Sequence, residues 1–504
     1  MSEAPLIQPR DEHNQTLIAR VHPPGWKNPE PARRYNLVAI GAGSGGLVSA
    51  AVAAGLGAKA AIVERHLMGG DCLNFGCVPS KAVIRVSRSI EEARRAQAYG
   101  APGFAREAVD FGAAMQRMRS LRARIAAEDS AERFRDELGV DVFLGEARFV
   151  ARDALEVGGA RLRFAKAVIA TGARPSLPPI PGLAEAGARS NETIWELTER
   201  PRRLAVIGGG PIGCELAQAF ARLGCAVTLV EALPRLLPRD DEEAAQIVAR
   251  RLADEGVTLR LGAGVERVEA RTGERVLHLR GAESVAADEL LVAVGRIPNV
   301  EGLGLPAAGV AFDPKRGVHV DDRLRTSNPR IFAAGDVCLE AKFTHAADAS
   351  AKIAVQNALF LPTQKLSSLV IPWCTYTDPE VAQVGLSQHD AETRGIAVDV
   401  YRAPLEQVNR AVLDGEEEGF VKLVVKRGGD QILGGTIVAA HAGELITQVT
   451  LAITGKLGLG ALLRVIHPYP TQGEGIKRVA GIWVRGRATP RIKRLLAGYM
   501  RLRR

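Results

Sequence analysis

Two cysteines five positions apart, Cys72 and Cys77, stand in the run Gly69-Gly-Asp-Cys-Leu-Asn-Phe-Gly-Cys-Val-Pro-Ser-Lys81. Such a pair can store two electrons as a disulfide, lie reduced in a core, or supply half of a zinc site. On a regular helix, residues five apart have Cα atoms roughly 8–9 Å apart. A disulfide needs about 4.4–6.8 Å. The pair therefore closes only on a distorted helix, and Gly69, Gly70 and Gly76 lie where a first turn can bend. A helix start also lowers a thiol pKa and favours the thiolate. Cys214, Cys225, Cys338 and Cys374 form no second closely spaced pair, and no histidines have ligand spacing, so no dedicated metal site is expected. Redox chemistry at Cys72 and Cys77 is the leading expectation.

A second kind of chemistry is phosphate recognition. The apolar run Asn36–Ile40 leads into Gly41-Ala-Gly43-Ser-Gly-Gly46, an Ala-rich helix to about Gly55, and a strand from Ala60 that ends in Glu64. Leu204–Ile207 leads in the same way into Gly208-Gly-Gly210-Pro-Ile-Gly213, a helix to about Leu223, and a strand from Ala226 that ends in Glu231. In each fingerprint the first Gly permits a tight turn, the second lets a pyrophosphate approach the backbone, and the third lets helix and strand pack closely. Each Glu would accept hydrogen bonds from a ribose. The fingerprints start 167 residues apart and each has its Glu 23 residues on, which predicts two dinucleotide-binding folds. A 2′-phosphate opposite Glu231 would be repelled, which favours NAD(H) over NADP(H), although Arg235 is near in sequence.

Other elements must position these loops within a chain of 504 residues. Its 46% hydrophobic and 24% charged residues exclude a disordered, collagenous or disulfide-stapled class. The expected division is an extended arm over 1–34, a first nucleotide-binding part over 35–190, a second nucleotide-binding domain over 191–315 and a central part over 316–369. A C-terminal α+β domain over 370–504 completes it. Phe111 to Leu138 reads as one long helix, and the uncharged run Tyr35–Ala58, with six glycines, as strand and helix rather than a membrane span. No secretory signal opens the sequence, so a cytoplasmic protein is expected. The formal charge of +9 is local: ten Lys or Arg and no Asp or Glu follow Glu474. The tail reads as a solvated or subunit-contacting helix, and no nucleic-acid partner is expected.

With these motifs the chain resembles the class I pyridine nucleotide-disulfide oxidoreductases, the flavoprotein family of lipoamide dehydrogenase, glutathione reductase and mercuric reductase. Cys72–Lys81 is the most specific match; Ala170-Thr-Gly-Ala173, Gly295-Arg-Ile-Pro-Asn299 and Ala334-Gly-Asp336 support it. The resemblance implies an α/β enzyme with FAD and NAD(P) domains of Rossmann type and a C-terminal α+β dimerisation domain. It places FAD at Gly41, Gly43, Gly46, Glu64, Gly70, Lys81, Thr171, Gly172 and Asp336, and the nicotinamide dinucleotide at Gly208, Gly210, Gly213, Glu231 and Gly295. It implies that Cys77 is the thiol beside the flavin and Cys72 the thiol that meets the acceptor. Lys81 and Glu215 match an ion pair near flavin N5. The enzyme would be a homodimer, and electrons would pass from the nicotinamide through FAD to the Cys72–Cys77 disulfide. A small molecule or a metal ion would then accept them.

One segment departs from the lipoamide dehydrogenase pattern. In Ile466-His-Pro-Tyr-Pro-Thr-Gln-Gly-Glu474, aligning Pro470-Thr471 and Glu474 puts Tyr469 where that enzyme has its acid/base His, and His467 falls two residues early. A phenol ionises near about 10 and an imidazole near about 6.5, so a Tyr is the poorer base at neutral pH. Tyr at this place is similar to mercuric reductases, which implies that Tyr469 and Glu474 of the partner subunit border the acceptor. True mercuric reductases usually add a C-terminal Cys pair, whereas here no Cys follows Cys374.

Overall fold

In the computed structural model, residues 7–105, 108–281 and 283–504 are described. The chain forms two compact units. One comprises residues 1–232 and 256–369, the other 233–255 and 370–504.

The first unit contains two parallel sheets whose strands are nearly continuous apolar runs, as strands covered on both faces require. In one, Asp141–Leu144, Ala60–Glu64, Tyr35–Ile40, Ala160–Ile169 and Ile331–Ala333 lie side by side, all parallel. Ile40 faces Val63 on one side and Ile169 on the other, so Gly41, Glu64 and Ala170 all emerge at the same sheet edge. An antiparallel pair, Ala147–Ala151 and Ala154–Val157, extends the start of Ala160–Ile169. The core beneath this sheet holds Tyr35, Val38, Phe143, Phe149 and Phe164. The second sheet orders Thr258–Leu261, Ala226–Glu231, Arg203–Ile207 and Glu289–Val292. Helix Ser44–Gly55 has no charged side chain and packs on helix Thr344–Leu359.

Two expectations require correction. The arm is not extended throughout: Glu12–Val21 is a helix, capped by the Asp11 carboxylate accepting from Asn14 N–H, with Leu17 and Val21 fully buried. Residues 1–6 of the arm lie outside the described residues. The single helix expected over 111–138 is two, Phe111–Ile125 and Ala131–Asp136. Ser130 is the reason, because its hydroxyl accepts from Arg133 N–H and starts the second helix afresh.

In the second unit five antiparallel strands run in the order Pro372–Thr375, Glu380–Gly385, Ile432–Ala439, Phe420–Lys426, Val398–Pro404. Helices Ala442–Thr454 and Glu474–Arg487 pack against this sheet. Helix Glu242–Asp254 belongs to the same unit although the chain reaches it between two strands of the second parallel sheet. Lys422 holds it: its ammonium, 11% exposed, lies 2.9 Å from Asp241 and 3.0 Å from Glu243. Trp373 Nε1 donates to Asp240 Oδ1 at 2.9 Å.

Candidate functional site

The two cysteines do not share a helix. A short helix, Gly70–Asn74, carries Cys72; the chain leaves helical geometry at Phe75 and Gly76, and Cys77 opens the long helix Cys77–Arg95. This break is the distortion that five-residue spacing demands. Four groups hold the turn in place. Arg296 meets the Asp71 carboxylate at 3.1 Å and Asn191 donates to its other oxygen at 3.1 Å. Arg122, 1% exposed, donates to Asn74 O and to Asn14 Oδ1 of the N-terminal helix. Trp195 Nε1 donates to Phe75 O at 2.8 Å.

Within that frame the two side chains are hydrogen-bonded to one another and their acidities diverge. The Cys72 thiol donates to Cys77, which lowers the Cys77 pKa from 9.0 to about 6 against the opposing effect of burial. Thr344 Oγ1, 3.4 Å from Cys77 Sγ, and the Lys81 ammonium favour the same thiolate. The Cys72 pKa is raised, first because its proton is held by that hydrogen bond and then by burial. One turn along the helix, Lys81 Nζ lies 2.7 Å from Glu215 Oε2, a carboxylate only 6% exposed. The arrangement is a pair of cysteines of diverging acidity beside an ion pair whose carboxylate is buried.

The glycine loops differ position by position. A Cβ on Gly46 would sit 1.7 Å from Gly41 O, and one on Gly213 1.9 Å from Gly208 O, so both third glycines are fixed by close backbone packing. Gly41 and Gly208 have φ of +95° and +112°, conformations that favour glycine. By contrast a Cβ on Gly210 would meet nothing within 4 Å, and one on Gly43 only Gly70 Cα at 3.7 Å. Helices Ser44–Gly55 and Pro211–Arg222 start at these two glycines without a side-chain cap. Their first N–H groups thus face open cradles of the kind that a pyrophosphate fills. Gly70 has φ of +57° and its added Cβ would lie 2.5 Å from Gly43 Cα, so the cysteine turn abuts the first phosphate loop directly.

Glu64 and Glu231 take equivalent places. Glu64 accepts from Ala42 N–H at 2.6 Å, and Glu231 from Gly209 N–H at 2.6 Å. Burial raises the Glu64 pKa, opposed by the N–H groups of Ala42 and His66. A cavity of about 400 Å³ opens beside Glu64, lined also by Gly41, Arg65, Gly145, Thr171 and Asn299. Thr171 and Asn299 exchange two hydrogen bonds, and Gly172 has φ of +67°. Gly295 has φ of +122°, and the next residue, Arg296, links Asp71 to Asp336 at 3.7 Å. Cradle, carboxylate and cavity together suit a dinucleotide, so the residues present fit FAD.

Two models of known families match the chain in succession: pyridine nucleotide-disulphide oxidoreductase over residues 35–352, and the dimerisation domain of the same family over 371–480. The chain belongs to this family. It is therefore an FAD-dependent pyridine nucleotide-disulfide oxidoreductase of class I. A mercuric reductase from Lysinibacillus sphaericus is 38% identical over 450 residues, 88% of this chain and 82% of that one. A dihydrolipoyl dehydrogenase from Thermus scotoductus is 34% identical over 464 residues, 89% and 97% of the two chains. Among solved structures, the Cu(II) complex of the HOCl-induced flavoprotein disulfide reductase RclA from Escherichia coli superposes with a TM-score of 0.81 at 28% identity. It covers 90% of this chain and 100% of its own.

The C-terminal candidates of the reductase belong to the second unit. Tyr469, 69% exposed, accepts a hydrogen bond from Asn409 Nδ2 at 3.1 Å. His467 Nε2 lies 2.8 Å from Gln448 Nε2. Glu474 opens helix Glu474–Arg487. In this short stretch His467 Nδ1, Gln472 Oε1, Glu474 Oε2 and Arg478 Nε are buried with no hydrogen-bond partner among the described residues. Thr344, Arg296, Asp71 and Arg122 were not among the candidates read from the sequence. Only Arg296 and Asp71 carried a signal, since each lies inside a motif already singled out.

Proposed function

We propose that the enzyme is an NADH-preferring disulfide reductase that passes electrons through Cys72 and Cys77 to a thiol-binding metal ion. When bound, FAD supplies the two-electron relay between nicotinamide and disulfide. The observation that carries the reading is the polarised cysteine pair. Opening the disulfide takes two electrons and one proton; the proton belongs on Cys72 and the charge on Cys77, as their divergent acidities favour. A metal ion that binds the Cys72 sulfur would displace its proton to solvent, the Cys77 thiolate being the weaker base of the pair, so that a sulfur–metal bond replaces the S–H bond. Lys81 and Glu215 would keep a fixed charge pair near the thiolate. Gly43, Gly46 and Glu64 would seat FAD; Gly210, Gly213 and Glu231 would seat the nicotinamide dinucleotide.

A metal acceptor is favoured by Tyr469, a poorer base than the His of lipoamide enzymes. The mercuric reductase likeness and the Cu(II) complex of RclA support the same class. Arg235 donates to the backbone carbonyls of Leu237, Pro238 and Asp240, which occupies the cation that would serve a 2′-phosphate. Homodimerisation is supported by the dimerisation-domain match. A second reading, dihydrolipoamide oxidation, rests on the Thermus scotoductus relative. An anaerobic panel of Hg(II), Cu(II), lipoamide, glutathione disulfide and quinones with both nicotinamides separates the two. The proposal expects the highest kcat/KM with NADH and a metal ion; brisk NAD-linked dihydrolipoamide oxidation would overturn it.

A further inference from the structure

We propose that the C-terminal helix Pro490–Leu502 is a docking device by which the reductase lies on an anionic lipid surface. The helix is 13 residues long and contains no buried residue, so none of its side chains is buried against another element among the described residues. Its start is encoded locally: Thr489 caps it, accepting from Ile492 N–H, and Pro490 fills the first helical position. At about 100° per residue, Ile492, Leu495, Leu496, Tyr499, Met500 and Leu502 span roughly 160° of the circumference. All six are exposed, Leu495 at 74% and Leu502 at 87%. Arg491, Lys493, Arg494 and Arg501 occupy the complementary arc, and Arg503 and Arg504 follow the last turn.

A helix this short is marginal in water, so an apolar stripe of this breadth calls for a surface that covers it. Three observations select a lipid surface carrying negative charge. No Asp or Glu occurs after Glu474, so the cationic arc lacks its own counter-charges and suits anionic headgroups. Six large apolar side chains would stay in water on a phosphate backbone, yet they fit the acyl boundary of a bilayer while long basic side chains reach the headgroups. The dimerisation-domain match ends at residue 480, before this helix begins, and two copies of so cationic a surface repel. Among the described residues no helix is long and apolar enough to cross a membrane, which leaves lying on the surface as the geometry.

The test is co-sedimentation of the FAD-loaded full chain with vesicles of phosphatidylcholine, with and without phosphatidylglycerol. Binding should be at least about tenfold tighter with phosphatidylglycerol and should fall as salt rises. Leu495→Glu with Leu496→Glu, and separately Arg494→Glu with Arg501→Glu, should each weaken it at least about tenfold. Flavin content and NADH oxidation should stay unchanged in both variants, because neither pair lies at the redox site. No binding by the unmodified chain, or equal binding to both vesicles, overturns the proposal. So does conversion of a dimer to a monomer by Leu495→Glu with Leu496→Glu, since a second copy would then cover the stripe.

Discussion

At the scale of single residues, chemistry depends on which sulfur keeps the proton. The largest influence lowering the Cys77 pKa is the Cys72 hydrogen bond, followed by Thr344 and then Lys81. In the reduced, flavin-loaded enzyme, the long-wavelength absorbance of a thiolate beside oxidised flavin should therefore titrate near about 6. Because the folded value lies below the ordinary 9.0, the thiolate persists at neutral pH and is lost as pH falls through about 6. Cys72→Ala should move the midpoint up toward 9.0, Thr344→Val less and Lys81→Met least; Cys72→Ser, which keeps a donor, should move it less than Cys72→Ala. A reversed ranking, or a Cys77→Ser protein that still shows the absorbance, would refute the assignment of the thiolate.

At the scale of elements, the two kinds of glycine make separable predictions. Gly213→Ala forces a Cβ within 1.9 Å of a backbone oxygen and should cost about 1–3 kcal/mol, read as a lowered Tm together with a raised KM for NADH. Gly210→Ala meets nothing within 4 Å and should leave Tm unchanged while raising KM more than about tenfold, since only the approaching pyrophosphate is obstructed. Gly46→Ala, at 1.7 Å, should release flavin on gel filtration. Such requirements are local, and so the loops, their flanking strands and both Glu positions could be read directly from spacing. The cysteine turn was legible for the same reason, because a five-residue gap and three glycines state the geometric problem themselves. What escaped notice is held by distant partners: Thr344 reaches Cys77 across 267 positions, and Arg122 reaches Asn14 across 108. The break at Ser130 is a different failure, since helix-forming composition on both sides concealed a cap. The N-terminal helix did carry a signal, Asp11 followed by Leu17 and Val21 one turn apart, which Pro-rich flanks obscured.

For the molecule as a whole, helix Glu242–Asp254 ties distant stretches of sequence into one unit, so residues 370–504 alone are an incomplete object. A fragment spanning them loses both ion pairs of Lys422, with Asp241 and with Glu243, together with the helix that carries those carboxylates. That fragment should melt at lower urea than one co-expressed with residues 233–255. Lys422→Met should stabilise the fragment but not the full chain. Equal effects in both would show that the ion pair does not hold the helix. The same tie governs how the protein is made. Lys422 follows Asp241 by 181 residues, an interval of about 10–40 s at the usual speed of a ribosome. Throughout that time the newborn helix has emerged but its cation has not, so a chaperone that lingers on nascent chains has its clearest opportunity here.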